Sequence, residues 1–187
     1  MKREARIIGI DDGPFTRGDD QKVLVVGTIF RGGQFLDGLV SCKVEQDGVD
    51  ATDRIIDMIN NCKFKPQLQA IFLDGVAVGG FNIIDVDRLS KITDLPVIVV
   101  MRNYPDYEKF FKAMDKAGKE EYKEIIDCLK KPIKVNNLYV QYTNNISLEE
   151  IRKLLSITCT HSDIPEPVRV AHIIASGIVD GESRGHA

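Results

Sequence analysis

The stretch Ile8-Gly9-Ile10-Asp11-Asp12-Gly13-Pro14-Phe15, IGIDDGPF, decides how this chain is read. An apolar run from Ala5 to Ile10 passes straight into two adjacent carboxylates and then Gly-Pro. Asp, Gly and Pro are common turn residues, so an acidic turn is one reading. The other is a buried strand whose tip handles a metal or a phosphate. The rest of the pattern separates them.

Val23–Phe30, VLVVGTIF, is β-branched and reads as a second buried strand, and Phe35–Glu45 as a third with more alternation. Their short connections predict an antiparallel meander. The period then changes: Thr52–Cys62 places Ile55, Ile56, Met58, Ile59 and Cys62 on one helical stripe, with Asp50 or Thr52 as its cap. Gln69–Leu73 is a fourth strand ending at Asp74-Gly75; the loop DGVAVGGFN and a helix over Ile83–Ile92 follow it. VIVVM, ending at Met101, is a fifth. Tyr104–Lys131 predicts two short helices broken near Gly118, and Leu138–Tyr142 is a candidate for one more strand. Ser147-x-x-Glu150 has capping-box spacing, and a last helix starts near Pro167 and ends near Gly177. Helix crossovers between the later strands imply parallel pairing and a mixed sheet. The expectation is a ribonuclease H-like α/β fold over residues 1–187 as one domain: a mixed five-stranded sheet, its first three strands antiparallel, with helices on both faces.

In that order the first and fourth strands are neighbours. Asp11 and Asp74 then end parallel strands roughly 4.8 Å apart, at the same edge of the sheet. Ligand sites in open α/β sheets lie at such carboxyl ends. Two unpaired carboxylates held this close repel, and Mg²⁺ or Mn²⁺ relieves the repulsion while keeping positions open for water and phosphate. Asp12 faces away from Asp11 if the strand alternates regularly. Asp47, Asp50 and Asp53 lie where a third ligand is wanted, with capping as the competing role for Asp50. Asp85 faces either the site or solvent. Gly75, Gly79, Gly80 and Asn82 belong to a loop that fits neither phosphate-binding nor dinucleotide glycine patterns. Its glycines let backbone approach a ligand or let elements pack closely. Arg169 and His172 share a helix face. They are either structural, or a phosphate anchor and a proton carrier folded over the sheet end. His161 beside Cys159 reads as a loop coincidence.

The totals narrow the partners. Among 187 residues, 43 % are hydrophobic and the net charge is −3, so no global basic field advertises nucleic acid. Cys42, Cys62, Cys128 and Cys159 form no Cys-x-x-Cys pair and read as reduced, mostly buried thiols. The apolar start is too short for a signal segment, and no run approaches a membrane span, so a cytoplasmic protein is expected.

GIDDGPF, VDATD, LDGVAVGGFNIID, PVIVV and IPEPVRVAHIIASG…GESRG together resemble an archaeal family, domain-of-unknown-function family ninety-nine, over nearly the whole chain. That family is similar in turn to endonuclease V, a ribonuclease H-fold, magnesium-dependent nuclease acting at deaminated purines. The resemblance implies that Asp11 and Asp74 are metal ligands and that His172 lies near the metal. It also implies a nucleic-acid partner, DNA or RNA. The Pro-Tyr-Ile-Pro wedge and following glutamate of endonuclease V are absent from VEQDGVDATDRII, leaving Asp50 or Asp53 as the stand-in. Arg102 stands nearest the place of a lysine after the fifth strand. Two functions follow from this pattern: a metal-dependent nuclease or phosphodiesterase, or a non-catalytic binding module that kept the fold.

Overall fold

The computed structural model describes residues 4–18, 22–119, 122–127 and 129–183. Three antiparallel strands come first, β1 (Arg6–Asp12), β2 (Val23–Arg31) and β3 (Phe35–Val44). Helix α1 (Ala51–Asn60) leads to β4 (Leu68–Asp74), which pairs parallel with β1. A two-stranded ribbon, β5 (Ala77–Val78) and β6 (Asn82–Ile83), precedes α2 (Val86–Thr93) and β7 (Val97–Met101), which is parallel to β4. Then come α3 (Tyr107–Lys116), α4 (Lys123–Asp127), a hairpin of β8 (Ile133–Val135) and β9 (Leu138–Tyr142), α5 (Leu148–Thr158) and α6 (Glu166–Asp180).

The main sheet has seven strands in the order β3-β2-β1-β4-β7-β9-β8, which corrects the expected five. The β8–β9 hairpin accounts for the difference. Asn136, at φ 54°, makes its tight turn, and β9 pairs antiparallel with β7, so no helical crossover was required. Three β8 residues are too few to show a period of two, so this strand left little trace in the sequence.

Side-chain alternation sorts the two faces. Ile8, Ile10, Ile71, Leu73, Val97 and Val99 meet α1 and α2 on one side; Ile7, Phe72, Ile98 and Val100 meet α5 and the start of α6 on the other. Phe72 is fully buried, as are Ile7 and Ile98, each worth roughly 2–3 kcal/mol of transfer from water. A separate cluster of Ile83, Met114, Tyr122 and Ile126 joins α3 and α4 to the β5–β6 ribbon, and Gly118 breaks the two helices at φ 66° as its sequence suggests.

The helix ends follow local chemistry. Ser147 and Glu150 form the reciprocal capping box at α5. Asp85 caps α2 by accepting the Arg88 N–H at 2.9 Å. The last helix continues through Gly177, where it was expected to stop, and ends at Asp180 because Gly181 takes the left-handed conformation at φ 81°.

Helix α6 lies along β1 because Gly9 has no side chain. A Cβ there would sit 2.3 Å from the Pro167 carbonyl carbon and 2.4 Å from the Val168 nitrogen. Opposite Gly9, Thr28 donates its hydroxyl to the Pro167 carbonyl at 2.5 Å. Gly9→Ala is therefore expected to destabilise the fold by about 3 kcal/mol, read by urea denaturation, since backbone cannot move aside as a side chain can.

Cys42, Cys62 and Cys159 are free and half-buried; Cys128 lies outside the described residues. Among the described residues no helix is long and apolar enough to cross a membrane.

Candidate metal centre at the ends of β1 and β4

Ile10 is the register partner of Leu73, so the next residues, Asp11 and Asp74, end neighbouring parallel strands. By alternation both point to the face covered by α6. There His172, one turn past the Pro167–Val168 contact with Gly9, places Nδ1 2.8 Å from Asp11 Oδ2. Asp11 Oδ1 accepts the Asp12 N–H at 2.9 Å. His172 Nε2 is buried and has no hydrogen-bond partner among the described residues. The sequence pattern located this trio; its close approach depends on Gly9.

The electrostatics are those of like charges held out of water. Asp11 is 5 % exposed. Burial first, then the charges of Asp74 and Asp12, push its carboxyl up to about 8. Asp74 is also raised by burial, and the charges of His172 and Arg102 pull it back. Arg102 follows β7, beside the strand that ends at Asp74.

Asp12 points to the opposite face, as alternation requires, and its Oδ2 accepts the Gly79 N–H at 2.7 Å. Burial raises its carboxyl and this hydrogen bond lowers it; the charges of Asp74 and His172 also reach it. Asp12 ties the strand tip to the glycine loop. Asp47 holds the same loop from the far side: its Oδ1 accepts the Phe81 N–H at 2.7 Å, and a Cβ on Gly80 would lie 2.2 Å from that oxygen. Gly79 and Gly80, at φ 56° and 90°, thus serve close packing, one of the two roles open to them. Gly75, at φ 80°, has nothing within 4 Å of where a Cβ would be.

The structure does not bring Asp50 or Asp53 to the cluster. Asp50 Oδ1 accepts from the Glu45 N–H at 3.0 Å and from Asn82 Nδ2 at 2.8 Å, and Arg54 reaches its Oδ2 at 3.2 Å. These bonds keep its carboxyl below the usual range against a partial burial that would raise it. Asp53 is exposed and pairs with Arg88 at 2.5 Å. Asn82 is fully buried, and its amide also binds the Ala51 N–H and the Glu45 carbonyl, each at 2.9 Å. It clamps the start of α1 to the β5–β6 ribbon, and burial keeps it from any ligand. Asp85 is spent as a cap.

Arg169 is engaged by Glu166, which accepts two hydrogen bonds at 2.8 and 2.7 Å and is only 3 % exposed. His161 Nδ1 lies 3.4 Å from the same carboxylate. Glu166 was missed in the sequence because a glutamate beside prolines reads as a helix start; its spacing of three from Arg169 was the available signal.

Among the described residues, no group of three His, Cys, Asp or Glu side chains converges as a ready metal cage. The donor set nonetheless suits a hard cation that keeps most of its waters, since Mg²⁺ is held by one or two carboxylates plus phosphate oxygens.

Comparison with known proteins agrees with this architecture. The UPF0215 protein of Methanothermobacter thermautotrophicus is 46% identical over 193 residues, covering 100% of this chain and 94% of the relative. The crystal structure of a protein of unknown function from Archaeoglobus fulgidus superposes with a TM-score of 0.85 at 37% identity, covering 93% of this chain and 98% of that one. Endonuclease V of Ciona intestinalis, solved with a 24mer DNA containing an inosine, matches with a TM-score of 0.55 at 19% identity, over 89% of this chain and 82% of that one. At that identity the likeness speaks for the fold. The model of the endonuclease dU family matches residues 3–179, and the chain belongs to that family.

Proposed function

We propose that this protein is a divalent-metal-dependent endonuclease acting on nucleic acid at deaminated bases. The observation that carries the reading is the register of β1 and β4, which puts buried Asp11 and half-buried Asp74 at the same end of the sheet in a family described as endonuclease dU. Asp11 and Asp74 would hold Mg²⁺ or Mn²⁺. The ion, when bound, supplies an acidified water and neutralises charge on the phosphodiester. His172, oriented through Nδ1 by Asp11, keeps Nε2 as its proton-accepting atom when Nδ1 carries the proton. Arg102 adds positive charge beside Asp74, where phosphate charge builds up.

The test uses labelled strands containing a single deoxyuridine or deoxyinosine, with undamaged strands as controls. Cleavage is expected with Mg²⁺ or Mn²⁺, lost with EDTA, and lost in Asp11→Ala plus Asp74→Ala. Equal activity in wild type and double variant, or no cleavage of any strand, would sink the proposal.

One observation favours a non-catalytic reading: the acids nearest in sequence to a third ligand position, Asp50 and Asp53, are bound to Arg54 and Arg88. A binding module of this kind retains nucleic-acid affinity in EDTA and cuts nothing.

A further inference from the structure

A groove of about 460 Å³ opens immediately beyond the strand tip that carries Asp11 and Asp12. Its walls are Pro14–Thr16 and Lys22 between β1 and β2, the start of β2, the end of β3 and the last turn of α6. Phe15, Lys22, Lys43, Ile178, Val179 and Asp180 line it. Its apolar members are unusually open to water for their type: Phe15 is 37 % exposed, Ile178 63 % and Val179 46 %. Lys43 stands in the register opposite Leu24, so it sits on the same sheet face as α6 and the Asp11 side chain.

We infer that this groove binds a single-stranded segment of the nucleic acid next to the bond presented to Asp11 and Asp74. The inference deepens the nuclease reading and rests on it for the identity of the ligand. Three features select this occupant. Among the described residues of the lining, two lysines stand against one aspartate, a local positive excess in a chain whose total charge is −3, matching a phosphate backbone. An exposed aromatic ring beside those lysines is the pairing that single-strand grooves use, with bases stacked on the ring and phosphates held by cations. The groove also lies near the carboxylates along the chain: Pro14 and Phe15 follow Asp11 and Asp12 after one glycine, and two residues of extended chain span roughly 7 Å.

Helix α6 joins the two places. His172 meets Asp11, and Val179, two turns later, meets Gly13 and lines the groove. Occupancy of the groove therefore sets the position of a strand relative to the candidate metal centre without using any of its ligands. Phe15 and the two lysines are positioning residues in this scheme.

The experiment measures fluorescence anisotropy of a labelled undamaged single strand, in EDTA so that nothing is cut, across a salt series. Lys22→Glu plus Lys43→Glu is expected to weaken binding at least about tenfold at low salt. It should also flatten the log–log salt dependence by about 1.4, the slope of two phosphate contacts on a single strand. Phe15→Ala is expected to weaken binding about tenfold with the slope unchanged, as loss of one stacking platform does. Lys91→Glu plus Lys153→Glu, the same charge change away from the groove, should leave most of the affinity intact. Thermal melts of each variant verify folding. Because the assay is independent of cleavage, strand binding that survives in a protein that cuts nothing leaves the groove assigned and removes only the nuclease reading. Equal losses from both lysine pairs, or no strand binding by the wild type, overturn the inference. A dimer broken by Ile178→Glu, with strand affinity unaltered, would assign the groove to a second copy and overturn it too.

Discussion

Asp11→Asn is expected to lower strand cleavage about a thousandfold or more while raising the melting temperature of the metal-free protein at pH 8. The first effect follows from the loss of one of two carboxylates available to a cation at the ends of β1 and β4. A thousandfold corresponds to about 4 kcal/mol of transition-state stabilisation, the scale of metal-borne charge neutralisation. The second effect has a separate cause. Asp11 is buried beside Asp74 and Asp12, so its ionised form is disfavoured in the folded protein. Asparagine has the same shape and no charge to desolvate. Its carbonyl oxygen still accepts the Asp12 N–H, and its amide can donate to His172 Nδ1 after a change of tautomer. Activity and stability therefore move in opposite directions, the pattern of a functional site that costs the fold stability. A variant that lost both would mark Asp11 as structural, and the metal reading would fail with it.

Without metal, the wild-type protein should lose stability steadily as pH rises from about 4 to 8. The folded Asp11 carboxyl holds its proton up to about 8, whereas an unfolded aspartate releases it near 3.8. Between those values the folded state binds more protons, so the free energy of unfolding falls with rising pH. Asp74 and Asp12, both raised, act in the same sense. Asp50 is lowered, so its contribution is lost only as pH falls below the ordinary carboxylate range. A divalent cation binds the ionised pair, so Mn²⁺ should restore stability strongly at pH 8 and little at pH 5. Melting curves at several pH values, with and without Mn²⁺, measure both slopes. In Asp11→Asn plus Asp74→Asn, the Mn²⁺ shift should vanish and most of the pH dependence should flatten. A Mn²⁺ shift that persists in that variant would place the cation elsewhere.

Local chemistry explains why parts of this molecule were readable from residues alone. The capping box at Ser147, the break at Gly118 and the carboxylates after two apolar runs are each written within a few residues. The antiparallel start and helical crossovers match the expected ribonuclease H-like order, in which the first and fourth strands are neighbours, and the pairing of β1 with β4 puts Asp11 and Asp74 at adjacent strand ends. The third acid was not readable in this way. Asp50 has the spacing of a ligand or a cap, and its occupation by Asn82 depends on a contact 32 residues distant. Asn82 sat in a loop that looked ligand-facing, yet it begins β6 and its side chain accepts the N–H of Ala51 at the start of α1. The strand β8 escaped notice because three residues carry too little periodicity.

By itself, the sequence determined the order of β1–β4, β7 and the helices packed on them, the two carboxylates at their strand ends, and the helix that carries His172 and Arg169. Those features follow from hydrophobic period, turn residues and chain connectivity, all local or topological. Only the tertiary structure decided which distant polar groups are spent on one another: Asp50 on Asn82, Asp12 on Gly79, and His172 on Asp11. It also opened the groove beyond Gly13, which exposed Phe15, Lys22 and, from β3, Lys43 line together. The reason is physical: a polar side chain bonds the nearest competent partner in space, and the packing of α6 on Gly9 and of the glycine loop on Asp12 and Asp47 sets what is near.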